Sequence, residues 1–145
     1  MTRYDPWRHL AERWPEVTVV VEPMAGRLLG QLRYPVIALR AGTSAAQRRS
    51  TLTHELVHLE RGVADCGPFA AREEAQVDRV AAALLITVDE LAAVLRLVGP
   101  TPALAPVATA LDVDRATLRT RLAHLTPAER AHLARHRDDE LWRVA

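Results

Sequence analysis

The stretch from Ser44 to Gly62 constrains this chain more than any other, because it signals a helix at both ends and carries a chemical motif in its middle. Ser44 followed by Gln47 is a capping-box pair, in which each side chain satisfies the other residue's backbone N–H. Leu52, Leu56 and Leu59 recur at i, i+4 and i+7, which makes one apolar stripe. Gly62 is the residue type that closes a helix in the left-handed conformation. A fold that buries the leucine stripe turns positions 54 and 58 toward another side of the helix.

Residues 54–58 read His-Glu-Leu-Val-His. Two histidines four apart on a helix lie one turn apart on one face. Both imidazoles can therefore hold one ion, and zinc accepts nitrogen donors in tetrahedral geometry. Glu55 sits beside the first histidine, where it can reach a metal-bound water without itself binding the metal. Zinc lowers the pKa of such a water from about 16 toward about 7, within reach of a carboxylate base. The pentapeptide alone recurs by chance. Its weight here comes from the capped helix, and the competing reading is two ordinary surface histidines.

A catalytic zinc takes three protein ligands and keeps one position open. The next helical segment, about Ala70 to Ile86, carries Glu74 and Asp78 at i and i+4, on one face. That is the arrangement expected if Glu74 is the third ligand and Asp78 orients a ligating histidine. Glu73 is the competing ligand, about 100° round the helix. A solvated carboxylate at Glu74 and a plain surface ion pair at Asp78 are the alternatives. The loop 62–68 is long enough to fold this helix back on the first, and Val77, Val80, Ala81, Leu84 and Leu85 supply the apolar face.

The rest of the chain is punctuated clearly. Asp5-Pro6 opens a helix over 5–14, and Pro15 ends it. Residues 16–22, rich in valine, read as a buried strand, 27–32 as a second, and 35–40 as a third. Thr87 and Glu90 cap a helix over 88–98, which stops at Gly99-Pro100. Helices then follow at 106–111, at 114–125 behind Asp114, and from Thr126-Pro127 onward. With one cysteine, Cys66, no internal disulfide can form, which suits a reducing compartment. The first residues lack the apolar core of a signal peptide, and no run is long enough to span a membrane. These features together predict a cytoplasmic protein. A net charge of +1, with no basic tail, argues against a dedicated nucleic-acid binder.

The order strand, then Thr53-His54-Glu55-Leu56-Val57-His58-Leu59, then Glu74, Asp78 and Val80-Ala81-Ala82-Ala83-Leu84-Leu85-Ile86-Thr87 resembles the ImmA/IrrE family of small metallopeptidases, over about Val36 to Leu91. Val80 stands where relatives have Phe, and Ile86-Thr87 where they have Met-Pro; both are packing positions. The resemblance implies zinc ligands His54, His58 and Glu74, the general base Glu55, and a protein substrate, typically a helix-turn-helix repressor of phage, mobile-element or stress-response genes. The elements read along the chain predict an α+β fold, a small zincin-like peptidase domain over 1–99 with a short sheet packed on the motif helix. In zincins the strand before the motif helix commonly lines the cleft and pairs with extended substrate, a role that 35–40 would fill.

Residues 100–145 form a helical, helix-turn-helix-like region. Residues 106–125 carry the pattern, and the second helix presents Arg115, Arg119 and Arg121. Asp112, Asp114 and Glu129 offset these arginines, so a helical cap or a protein-docking element outweighs a DNA reader. A non-catalytic zinc protein acting by protein or DNA binding is the alternative to the peptidase. Tyr34, Arg79 and His124 are candidate oxyanion donors. His132 and His136 repeat the i, i+4 spacing, with Asp139 or Glu140 as further donors, but no glutamate follows His132. They read as exposed helix histidines. Cys66 reads as a half-buried loop residue, and Trp7, Trp14 and Trp142 as core or docking residues.

Overall fold

A computed structural model describes residues 2–62, 67–99 and 103–141, with side chains described as far as His136. Cys66, Trp142 and the side chains of Asp139 and Glu140 lie outside the described residues. The first helix, α1 (Pro6–Arg13), starts where Asp5 Oδ1 accepts the backbone N–H of Trp7 at 2.9 Å. Three strands follow, β1 (Thr18–Glu22), β2 (Gly30–Arg33) and β3 (Val36–Arg40). Their order in the sheet is β1-β3-β2. β3 pairs in parallel with β1, Thr18 opposite Val36, and antiparallel with β2, Gly30 opposite Leu39.

Two strand expectations are corrected by this order. β1 is an edge strand, with Val21 52% exposed, and not a buried one. β3 is central and hydrogen-bonded on both sides, so it has no free edge for a substrate. The hairpin through Tyr34-Pro35 folds β2 back outside β3, and β2 presents the edge on that side.

The motif helix, α2 (Ala45–Arg61), has the expected ends. Ser44 and Gln47 form the reciprocal cap, and Gly62 takes φ 67°. Its Leu52 and Leu56 are fully buried against Ile37 and Leu39 of β3, with Leu10 of α1 and Val17 completing the cluster. Each such side chain contributes roughly 1.5–3 kcal/mol of transfer free energy. Trp14 packs at the rim and donates Nε1–H to Glu60 Oε1 at 3.1 Å, while Trp7 is half exposed.

After a single 3-10 turn come α3 (Ala70–Leu85), α4 (Val88–Val98), α5 (Leu104–Leu111), α6 (Arg115–Ala123) and α7 (Pro127–Leu141). The fold is thus α+β, a three-stranded sheet with seven α-helices among the described residues. Helix α5 begins two residues before Pro106, since a proline in the first turn removes an N–H that has no helical partner. Leu85, Ile86 and Leu91 share one core with Val107, Leu111, Leu118 and Leu133, so the helices after residue 99 are packed onto those before it. Arg49 of α2 reaches across, its Nη1 donating to Asp112 O at 3.0 Å and its Nη2 to Tyr4 O at 2.8 Å. Ser50 Oγ accepts Asp114 N–H at 3.1 Å. Among the described residues no helix is long and apolar enough to cross a membrane.

Arg121 is buried at the centre of this C-terminal packing. Its Nε donates to Ile86 O at 2.7 Å, and its guanidinium grips both Glu129 oxygens. The Arg121 bond, joined by the Thr126 backbone N–H, holds the Glu129 carboxyl down at about 2, against an ordinary 4.5. A depressed carboxyl contributes stability that is complete above the ordinary value and is lost as pH falls toward the depressed one. Glu129→Gln is therefore expected to cost about 1.5–3 kcal/mol at neutral pH. It should also flatten the decline in stability between about pH 4.5 and 2, read from denaturant midpoints across that range.

Candidate metal centre and its cleft

Helix α3 is seated on α2 by a small separate cluster, Val57 against Val77 and Ala81. That contact sets the register between the two helices and brings Glu74 opposite the paired histidines. Glu74 Oε1 lies 3.0 Å from His58 Nε2, and Oε2 lies 3.2 Å from His54 Nε2. The two Nε2 atoms are 3.1 Å apart. The three donor groups all fall within 4.8 Å of one another. Around a tetrahedral zinc with bonds of 2.0–2.1 Å, neighbouring donors stand about 3.3 Å apart, so two imidazoles and a carboxylate at these spacings fit such an ion. Glu73 is elsewhere: its carboxylate is held by the Arg61 guanidinium, with Nη2 to Oε2 at 2.9 Å.

Asp78 lies one turn beyond Glu74, its Oδ1 2.9 Å from His54 Nδ1. A proton on Nδ1 donated to this carboxylate leaves the Nε2 lone pair facing Glu74 and His58. Burial disfavours the charged form of His54, but the Asp78 hydrogen bond and the nearby carboxylates outweigh it and raise its pKa. His58 goes the other way: burial, and then the neighbouring His54, lower it despite Glu74.

Glu55 points from α2 toward β2 and is only 7% exposed. Burial raises its pKa, countered in part by His54, while the Leu32 backbone N–H stabilises the carboxylate. It lies beside a residue that sequence reasoning missed. Gly30 opens β2, and a Cβ there would lie 2.4 Å from Thr51 Cγ2 and 3.2 Å from Glu55 Oε1. A glycine inside a strand pattern is the sequence signal for such a close approach.

A groove of about 710 Å³ runs over the cluster. One wall is β2 with the residues before it, Arg27 to Leu32, and the floor is His54, Glu55, His58, Glu74 and Asp78. The opposite wall comes from Asp114 and from Ala116, Thr117 and Thr120 of α6. Of the three candidate oxyanion donors, Tyr34 lines this groove, with its hydroxyl on Glu16 Oε1 at 3.1 Å. Arg79 lines a different hollow with Arg61 and Phe69. His124 Nδ1 is engaged by Thr120 O at 2.8 Å.

Gly30→Ala should force Thr51 and Glu55 aside. Overpacking of this kind costs about 1–3 kcal/mol. Removing the obstructing methyl with Thr51→Ser should restore most of that loss, as read from urea midpoints of the single and double variants.

A family model described as the IrrE N-terminal-like domain, a peptidase family, matches residues 15–123. Comparisons with curated proteins and with solved structures found no match. The matched span takes in the sheet, the paired histidines of α2, the carboxylates of α3 and the groove wall on α6, about three quarters of the sequence, and the chain belongs to the IrrE N-terminal-like peptidase family.

Proposed function

We propose that the protein is a zinc-dependent endopeptidase of the cytoplasm, with His54, His58 and Glu74 holding the ion, Asp78 orienting His54, and Glu55 acting as general base. The observation that carries this reading is the convergence of two imidazole Nε2 atoms and the Glu74 carboxylate within 4.8 Å, beside a buried glutamate that is not one of the three. A zinc ion bound there supplies Lewis acidity, polarising a scissile carbonyl and acidifying the attacking water. Glu55 takes the water proton at a carboxylate oxygen and later returns it to the leaving amine. Burial raises its pKa, which is the direction that helps it hold a proton between the two transfers. Asp78 keeps the proton of His54 on Nδ1 and the lone pair on Nε2.

The shape of the groove supports a peptide as the thing bound. β2 offers an edge with backbone donors and acceptors to an extended segment, and α6 limits the slot on the far side. Of the three candidate oxyanion donors Tyr34 lines the groove, and its hydroxyl would have to turn from Glu16 to serve a developing oxyanion. The family supports a protein substrate, and a helix-turn-helix repressor is the class that the resemblance of residues 36–91 suggests.

Co-expression with a candidate repressor, followed by metal analysis, tests the reading. Glu55→Gln should abolish cleavage, a loss of about 10²–10⁴-fold, while keeping its zinc. Glu74→Ala should lose zinc, and Asp78→Asn should weaken its binding about 10–100-fold. Cleavage that persists in Glu55→Gln, or wild-type zinc content in Glu74→Ala, would overturn the assignment.

A further inference from the structure

The last helix carries a second pair of histidines whose geometry repeats that of the first. His132 and His136 place their Nε2 atoms 3.1 Å apart, the same separation as between His54 and His58. The rings meet edge to face, with centroids 4.4 Å apart at 73°, against 4.8 Å and 70° in the first pair. The position is set by packing: Leu133, between them in sequence, is buried in the core that contains Leu91 of α4. The first turn of α4 supplies a carboxylate, Asp89, with Oδ1 3.1 Å from His132 Nε2.

His132 Nε2 therefore faces two atoms at 3.1 Å, a carboxylate oxygen and another imidazole nitrogen. The two imidazole lone pairs repel unless a positive centre lies between them, and Asp89, near His132 alone, does not close a three-donor cluster as Glu74 does with His54 and His58. That centre is either one shared proton or a metal cation, and two imidazole nitrogens about 3.3 Å apart are what a zinc ion at 2.0–2.1 Å requires. Imidazole with carboxylate suits zinc among divalent ions. One group opposes a cation: Arg96 Nη1 lies 3.3 Å from His136 Nδ1. It is an exposed side chain making the longest of these contacts, so it is the one that yields. Asp89 is 62% exposed at its side chain and has to turn to serve an ion shared with His136. Both features make this site weaker than the first.

We propose that His132, His136 and Asp89 form a second zinc site, which clips α7 to α4 and is separate from the cluster on α2 and α3. It needs no catalytic base, and none is adjacent. The proposal does not depend on the peptidase reading.

Zinc titration of the untagged, metal-depleted full chain by equilibrium dialysis and metal analysis tests it. The wild type should bind two equivalents, one tight and one weaker. His132→Ala/His136→Ala should lose the weaker equivalent alone, and His54→Ala/His58→Ala the tight one alone. Asp89→Asn, which leaves α7 intact, should weaken the second site, and Arg96→Ala should tighten it. Zinc should raise the melting temperature of His54→Ala/His58→Ala and leave the fourfold variant unmoved. Retention of both equivalents in His132→Ala/His136→Ala overturns the proposal. So does a wild type that binds a single equivalent lost with His54 and His58, which would leave only a shared proton between the α7 histidines. Failure of the peptidase reading shows differently, as a tight equivalent that survives removal of His54 and His58.

Discussion

Helix α2 has to satisfy three neighbours at once, and the rest of the molecule is arranged by that demand. Leu52 and Leu56 go to the sheet, Val57 goes to α3, and Arg49 and Ser50 go to the turn between α5 and α6. These faces share the circumference of one seventeen-residue helix. What is left over is the sector holding His54, Glu55 and His58, and it faces the groove. The histidines are half-buried because the packing on either side of them is already committed. The interaction that completes the cluster, α3 on α2 through Val57, Val77 and Ala81, is small. A one-residue slip there would replace Glu74 by a neighbour about 100° away, so the convergence of Glu74 on the two histidines depends on three small apolar side chains.

The electrostatics of the cluster follow from that packing. Two imidazoles within hydrogen-bond distance cannot both be charged cheaply, and the environment treats them differently. His54 has Asp78 behind it and is raised, while His58, although the Glu74 carboxylate is 3.0 Å away, is lowered by burial and by the neighbouring His54. It is the Asp78 hydrogen bond that fixes the tautomer of neutral His54, with the proton on the outer nitrogen and the Nε2 lone pair facing the cluster. Glu55, raised by burial, is kept out of the donor set by its turn toward β2.

Much of this was legible because it is local. The ends of α2 and α4 are written in capping boxes, and the structure makes both reciprocal pairs. The preference for Glu74 over Glu73 follows from helical angle alone, and the structure brings Glu74 to the histidines and ties Glu73 to Arg61. What was not legible is non-local. Strand order depends on which way the hairpin at Tyr34-Pro35 folds, and nothing in residues 16–40 states it, so β3 was expected at the cleft where β2 stands. Gly30 was missed for the same reason: its neighbours Thr51 and Glu55 are distant in sequence.

Helix α6 shows how a familiar pattern can be put to another use. Its Arg121, counted with Arg115 and Arg119 as a basic face, is buried and spent on Glu129 and the Ile86 carbonyl. Its small side chains, Ala116, Thr117 and Thr120, line the groove above the metal cluster. With Arg121 buried and α6 docked on α3, only Arg115 and Arg119 of the three arginines stay exposed. The same docking gives the groove a second wall opposite the edge of β2. The helices after residue 99 therefore belong to the groove as much as to the core, and the side chains that α6 places on it, Ala116, Thr117 and Thr120, are no larger than threonine.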